Sequence, residues 1–205
     1  METLSSRLLR IDVERFLNNA GKQGFASIVI LKSGESQFIW QRKTPGYPFP
    51  KMVNKLCLFG GNKEKDDITA RDTLLRELRE ELPGSWYGEI EKTLTPFSRF
   101  IVEATQEVVS PKPYSLAFIA CVFHASVDSA VKDVDEVNEG SLEILSVGSL
   151  ERETYCWGYD TAFKAYLKEI CGIDFDFRID YEKCNVYRIA PNEDIGVWAS
   201  SERWN

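Results

Sequence analysis

The sequence has 205 residues, of which 43% are hydrophobic and 12% aromatic, and its 25 basic and 32 acidic residues give a formal net charge of −7. This length and composition predict one domain, residues 1–205, whose core is large enough to fold without disulfides or a structural metal. The acidic balance argues against a nucleic-acid-binding platform, which collects positive charge. It is compatible with a small phosphorylated substrate, because a few local side chains can meet that charge.

The cysteines and the histidine narrow the chemistry further. The cysteines are odd in number and never form a Cys-x-x-Cys pair, which argues against a disulfide framework or zinc site and favours a reducing compartment. The single histidine, His124, lies in an apolar strand pattern, so we expect it to be structural and exclude a His-rich metal site or a catalytic triad. The five cysteines are Cys57, Cys121, Cys156, Cys171 and Cys184.

No apolar stretch approaches the length of a membrane span, and the N-terminal residues lack the apolar segment of a signal peptide. We therefore expect a soluble, cytoplasmic protein that does not bind membranes.

Taken in chain order, the first half predicts a helix over residues 12–19 and two strands over residues 25–31 and 37–42, joined by a turn. A loop with three prolines then leads into a short apolar strand over residues 55–59. A helix is predicted to begin near Thr69, which is suited to N-capping, and to end at Pro83.

The second half predicts more strands and a second long helix. Strands are predicted over residues 89–94, 99–105, 114–125 and 142–147, and an amphipathic helix over residues 159–171. Alternating residues near 175–181 and 186–190 indicate an added hairpin in the tail. Two long helices separated by strands predict a mixed sheet sandwiched between helices. The helix over residues 159–171 is expected to face the core with Phe163, Tyr166, Leu167 and Ile170.

Chemistry is concentrated between Gly60 and Glu81. The Gly60-Gly61 pair follows the short apolar strand and lets the backbone bend and approach a ligand closely. On the next helix Glu77, Glu80 and Glu81 share one arc, whereas its leucines lie on another. A solvated acidic face paired with intrahelical arginines is the alternative. The preceding strand and Gly-Gly turn favour a site for Mg²⁺ or Mn²⁺, which prefer oxygen ligands.

These residues resemble the signature box of the Nudix hydrolases. The matching residues are Gly60-Gly61, Asp67 and the run Arg76-Glu77-Leu78-Arg79-Glu80-Glu81. The box here is a variant, because a short insertion lies between the first glycine and the arginine. Asp67 also stands one residue before the position, Ile68, where the common box has glutamate.

The resemblance implies an α/β (α+β) fold, a Nudix-like α/β/α sandwich, with a core of about residues 22–172 and a C-terminal extension of about residues 173–205. It also implies a metal-dependent hydrolase that cleaves the diphosphate linkage of a nucleoside diphosphate joined to another group. The alternatives are a hydrolase of non-nucleotide diphosphates, such as diphosphoinositols or prenyl diphosphates, and a catalytically weak binding or regulatory module. A homodimer is compatible with the resemblance.

The resemblance also assigns the expected site residues. A main-chain carbonyl at Gly60 or Gly61 is expected to assist the three glutamates in holding the metal, and Arg76 to orient a carboxylate. The general base stays open between a box glutamate and an acid of the loop over residues 133–139, which holds Asp133, Asp135, Glu136 and Glu139. Four residues near the end of the second strand and in the proline-bearing loop are candidates for binding substrate: Arg42, Lys43, Tyr47 and Phe49.

Overall fold

The computed structural model describes residues 23–111, 116–127, 136–137, 140–175 and 184–189. The predicted helix over residues 12–19, the loop acids Asp133, Asp135 and Glu139, and most of the predicted tail hairpin lie outside these ranges. Among the described residues, no helix has both the length and the apolar character needed to cross a membrane.

One mixed sheet forms the centre of the described structure. Its strand order is β7-β8-β2-β1-β6-β5-β9, with β3 paired to β2 and β4 paired to β1. The β1–β6 pair is parallel and the other pairs are antiparallel. The strands are β1 (Gln23–Ser33), β2 (Gln37–Lys43), β3 (Leu56–Cys57), β4 (Phe59–Asn62), β5 (Thr95–Ala104), β6 (Leu116–Ser126), β7 (Glu136–Val137), β8 (Gly140–Ser146) and β9 (Cys184–Arg188).

Helices cover both faces of this sheet, which confirms the predicted sandwich. Helices α1 (Ala70–Glu81) and α2 (Gly84–Thr93) pack on one face, where Leu74 and Leu78 join the core. Helix α3 (Tyr159–Glu169) packs on the other face. There Phe163 meets the buried Trp40 edge-on, with ring centres 5.0 Å apart. Short 3₁₀ turns at Pro50–Met52, Val147–Arg152 and Cys156–Gly158 complete this second layer.

Two boundaries differ from the sequence prediction. Residues 89–94, predicted as a strand, belong mostly to α2, because Trp86 and Ile90, one helical turn apart, are its buried residues. Pro83 is compatible with this second helix because it lies just before the first helical residue. The N–H groups at the start of a helix have no partner within the helix, so the N–H that proline lacks is not needed there. The predicted strand over residues 55–59 is divided at Leu58 into β3 and β4, which pair with different neighbours.

In the third helix one burial prediction is wrong, and the tail contributes one strand to the sheet. Phe163, Tyr166 and Leu167 are buried as predicted, but Ile170 is 51% exposed, because the helix ends at Glu169. The described part of the C-terminal extension adds β9 to the edge of the sheet beside β5.

Candidate active site

The capped start of α1 fixes the acids against strand β4. The Thr69 hydroxyl accepts a hydrogen bond from the Asp72 N–H at 3.1 Å, and the Asp72 carboxylate accepts one from the Thr69 N–H at 2.8 Å. This reciprocal capping box stabilises the first turn. One helical face then presents Glu77 and Glu81, four residues apart, toward Gly60 and Gly61.

Glu81 and Glu77 are held by the glycine strand in two ways. Glu81 is 8% exposed, and its carboxylate accepts a hydrogen bond from the Gly60 N–H at 2.8 Å. The Glu77 side chain, 18% exposed, lies so close to Gly61 that a Cβ there would stand 2.5 Å from the Glu77 Cδ. Glycine at position 61 therefore leaves the space that the Glu77 carboxylate occupies.

Gly60 is required for a different reason. Its φ is +118°, a conformation that side chains with a Cβ rarely adopt. A Cβ there would also lie 3.0 Å from the Ile28 Cα and closer still to the Ser27 carbonyl oxygen. Both neighbours belong to β1, which pairs with β4 at this point.

Arg76 connects Glu77 to a second acid, Asp67. Its guanidinium donates to the Glu77 carboxylate at 2.8 Å, to the Asp67 carboxylate at 3.1 Å and to the Asn62 carbonyl at 2.8 Å. The hydrogen bond to Asp67 is the main cause that raises the pKa of Arg76 above its ordinary value. Arg76 thus contacts both acids, and its expected role in orienting a carboxylate stays a prediction.

Asp67 is itself held by several donors. It is 9% exposed and accepts hydrogen bonds from the Glu64 N–H at 2.8 Å and from the Thr73 hydroxyl at 3.0 Å. Burial alone would raise the pKa of Asp67, but these bonds and the one from Arg76 outweigh burial and lower it. Asp67 therefore remains ionised and fixes the position of the arginine.

Glu80 is placed differently from the other two box glutamates. Its side chain is 61% exposed, and its carboxylate lies 3.6 Å from the Arg76 guanidinium. Within the described ranges, no three Asp, Glu, His or Cys side chains form a ready-made metal cluster. The structure thus brings Glu77 and Glu81 together at the glycine strand and leaves Glu80 at the rim.

A cleft of about 610 Å³ opens from these acids. Its polar end is lined by Gly60, Gly61, Glu77 and Glu81, and its walls include Lys43. Lys43 is only 3% exposed, and its ammonium lies 4.5 Å from the centre of the Tyr47 ring. Tyr47 and Phe49 line the same cleft. Three of the four predicted substrate-binding residues therefore lie in one cleft with the predicted metal-binding residues Glu77 and Glu81.

Aromatic side chains form another part of the cleft lining, and one of them, Trp157, was not predicted from the sequence. Trp157 donates from Nε1 to the Tyr47 hydroxyl at 3.3 Å. Its ring meets Phe49 and Phe118 edge-on, with centres 5.1 and 5.6 Å apart. Trp157 has a positive φ of 56° and precedes Gly158, also at positive φ. The Trp-Gly pair before α3 was the available sequence signal for this turn. We call Tyr47, Phe49, Phe118 and Trp157 the aromatic end.

Arg42 does not belong to the cleft lining. Adjacent strand residues point to opposite faces, so Lys43 enters the cleft and Arg42 turns away. Arg42 forms ion pairs with Glu143 and Glu153, and its guanidinium also donates to the Asn54 carbonyl at 2.7 Å. The hydrogen bond to Glu143 is the main cause that raises the pKa of Arg42. Its position gives no support to the predicted contact with substrate.

His124 does not line the cleft. His124 lies beside Tyr166, with ring centres 5.3 Å apart, and burial lowers the pKa of its imidazole. Glu136 contributes backbone to β7, opposite Ser141 of β8.

No family model matches the sequence, and no curated protein matches it. Solved structures do resemble its fold. The Nudix domain of Shewanella oneidensis NrtR complexed with ADP ribose is 10% identical, with a TM-score of 0.51, and the alignment covers 77% of this chain and 97% of that one. A bifunctional NMN adenylyltransferase/ADP ribose pyrophosphatase from Francisella tularensis, complexed with AMP and a manganese ion, is 14% identical, with a TM-score of 0.50 and 80% of this chain covered.

The chain spans about half the length of the Francisella enzyme, 47% of it. At these identities the similarity concerns the fold. The strand order, the helices on both faces and these two neighbours show that the chain has the Nudix fold.

Proposed function

We propose that this protein is a metal-dependent hydrolase that cleaves the diphosphate linkage of a nucleoside diphosphate joined to a second group. One observation carries the proposal: Glu77 and Glu81 face the Gly60-Gly61 strand in a cleft that is also lined by the aromatic end. The volume, about 610 Å³, is within the range of roughly 300–1,000 Å³ typical of small-molecule sites.

The donor set fits a hard divalent cation. Glycine at position 61 makes room for the Glu77 carboxylate against the strand, and the Gly60 N–H orients the Glu81 carboxylate. Mg²⁺ is commonly held by one or two protein carboxylates, with waters and substrate phosphates as the other ligands. Glu77 and Glu81 would therefore hold Mg²⁺ or Mn²⁺, assisted by a glycine carbonyl and by Glu80 from the rim. When bound, the ion would neutralise the diphosphate and acidify a water molecule.

The chain's own residues would divide the remaining work. Arg76 holds Glu77 in place, and Asp67 holds Arg76, so the carboxylate geometry is set before substrate arrives. Lys43, buried in the cleft wall, supplies positive charge for a phosphate oxygen. The aromatic end offers ring surfaces to a planar base, whereas an inositol ring would bury its hydroxyls against them without hydrogen-bond partners.

Two features of the box residues favour a second function, a binding or regulatory module without turnover. The Arg76 guanidinium already pairs with Glu77, and Glu80 is largely exposed instead of facing the other two glutamates. A site in this state would bind a phosphorylated ligand without assembling the full ligand set for a metal.

A diphosphate panel with matched variants separates the two functions. Purified protein with Mg²⁺ or Mn²⁺ would be incubated with ADP-ribose, a dinucleoside polyphosphate, coenzyme A, a diphosphoinositol and a prenyl diphosphate. We expect a monophosphate product from at least one nucleotide. Glu81→Gln should lower the rate by roughly 100-fold or more. Glu91→Gln, the same change at an exposed site on α2, should leave the rate unchanged.

Calorimetry on the same panel decides the alternative. Ligand binding without product, and without a metal-dependent shift in melting temperature, would replace the hydrolase by the binding module. Cleavage of the diphosphoinositol or prenyl compound alone would retain the chemistry and refute the nucleotide assignment.

A further inference from the structure

Two cysteines from distant parts of the chain lie side by side next to the cleft. The Leu56 N–H donates to the Thr154 carbonyl at 2.9 Å, and Leu56 and Tyr155 form a parallel bridge. The residues that follow, Cys57 and Cys156, are therefore neighbours across this bridge. Paired strands place such Cα atoms roughly 5 Å apart, within the separation of about 4.4–6.8 Å that a disulfide spans.

The two thiols already contact each other. Each is a free thiol, and hydrogen bonding to Cys57 is one of the causes that raise the pKa of the Cys156 thiol. The Cys156 sulfur also lies 3.7 Å from the Met52 carbonyl oxygen, which fixes its orientation toward the β3 segment. Closing a bond between these sulfurs needs a side-chain adjustment and little movement of the backbone.

The environments of the two thiols differ, and this difference sets an order of reaction. Cys57 lines the cleft and is 5% exposed, so a small oxidant can approach it from the cleft. Cys156 has no exposed surface, and burial, followed by its contact with Cys57, raises the pKa of its thiol. Reaction therefore begins at Cys57, because an oxidant in the cleft reaches this thiol and not the fully buried Cys156.

We propose that Cys57 and Cys156 form a reversible oxidation site, in which a peroxide converts the two thiols into one intramolecular disulfide. The Cys57 thiolate attacks hydrogen peroxide, which gives a sulfenic acid and, after protonation, one water molecule. The Cys156 sulfur then attacks the Cys57 sulfur, forms the S–S bond and displaces hydroxide, which leaves as a second water with the Cys156 proton. Two electrons pass from the sulfurs to the peroxide, and a small thiol reductant reverses the reaction.

The disulfide would act on the aromatic end directly. Trp157 follows Cys156 in the same short turn, and its indole N–H donates to the Tyr47 hydroxyl within the aromatic end. A bond between Cys156 and Cys57 would link this turn covalently to β3 at a residue that lines the cleft. Oxidation is thus expected to change ligand affinity at the aromatic end, and reduction to restore it.

Peptide mapping of the full chain tests the proposal without any need for enzymatic activity. The reduced protein would be treated with hydrogen peroxide, alkylated under denaturing conditions and digested. We expect a peptide that joins Cys57 to Cys156, a mass loss of two hydrogen atoms, and recovery of both thiols with dithiothreitol. Peroxide treatment that leaves both cysteines alkylated, or that carries Cys57 to a sulfinic acid without a crosslink, overturns the proposal.

Variants identify the partner. Cys156→Ser should abolish the crosslink and leave Cys57 singly oxidised, whereas Cys171→Ser, a change at a half-buried cysteine after α3, should leave the crosslink intact. Cys184 packs near Gly158, two residues after Cys156, so it is a competing partner. A crosslink through Cys184 in the wild-type protein would refute the pairing. The wild-type map decides the question even where a variant fails to fold.

Discussion

The neighbouring glycines at positions 60 and 61 should respond to alanine in opposite ways. Both lie in β4, and their sequence context does not distinguish them. The structure does, because the added methyl group would meet a flexible side chain in one case and rigid backbone in the other.

Gly61→Ala should damage the site and spare the fold. The new Cβ would lie 2.5 Å from the Glu77 Cδ, so this carboxylate has to move by about 1 Å to restore a normal contact of about 3.5 Å. A shift in a side-chain rotamer costs about 0.5–1.5 kcal/mol in stability. A displacement of about 1 Å in a catalytic group lowers activity by about 100-fold, or about 2.7 kcal/mol in transition-state stabilisation.

Gly60→Ala should damage the fold itself. The residue would carry a Cβ at a φ of +118°, and the methyl group would press on the Ser27 carbonyl and the Ile28 Cα. Strained backbone of this kind costs about 1–3 kcal/mol. The clash with two main-chain atoms of the central strand adds to this, so we expect a loss of at least about 3 kcal/mol in the free energy of unfolding.

Urea denaturation of the two variants and the wild type measures the contrast, and a hydrolysis assay on the substrate found in the panel measures the site. Binding of Mn²⁺, followed by its paramagnetic resonance signal, reports on Glu77 independently of turnover. Equal stability losses in the two variants would refute the reasoning, as would a Gly61→Ala protein that binds Mn²⁺ and hydrolyses substrate like the wild type.

Three further substitutions test the charged residues in and beside the site. Asp67→Asn should lower stability by about 1–2 kcal/mol at neutral pH, because it weakens hydrogen bonds to a charged group. The pKa of Asp67 is lowered in the folded state, so the contribution of its carboxylate to the free energy of unfolding is present above about pH 4. That contribution is lost as the pH falls through the folded-state pKa. The urea midpoints of the wild type and the variant should therefore converge in acid and stay apart at neutral pH. Lys43→Met should raise KM, whereas Arg42→Met should lower the urea midpoint and leave KM unchanged, because only Lys43 lines the cleft. Equal KM values for Lys43→Met and the wild type would remove Lys43 from the site.

Sequence pattern was sufficient for the parts of the fold that depend on local chemistry. Thr69 as the N-cap of α1 followed from its side chain and the apolar spacing after it. The polar end of the cleft followed from one short stretch, since a glycine pair and acids on one helical arc are close in the chain. The strand predicted over residues 89–94 failed because Glu89-Ile90-Glu91 alternates like a strand, while the deciding contact, Trp86 with Ile90, has helical spacing.

The parts that depend on distant contacts could not be read from the chain. Trp157 reaches the cleft because β3 pairs with the segment that precedes α3, a contact between residues about a hundred positions apart. Arg42 and Lys43 are adjacent and both basic, so the sequence does not distinguish them. Their roles differ because β2 directs Lys43 into the cleft and Arg42 toward its ion-pair partner Glu143. Pairing between distant segments sets both outcomes, and local propensity carries no information about it.

The charges that line the cleft agree with the proposed function. The carboxylates of Glu77 and Glu81, the buried Lys43 and the neutral rings of the aromatic end all line one cleft. A diphosphate laid along this cleft would meet Lys43 favourably and the two carboxylates unfavourably. A divalent cation reverses that repulsion, so the metal and the substrate each favour the binding of the other. Arg76 pairs with Glu77 but is also held by Asp67 and Asn62, so it can remain in place when a metal binds the glutamate carboxylates.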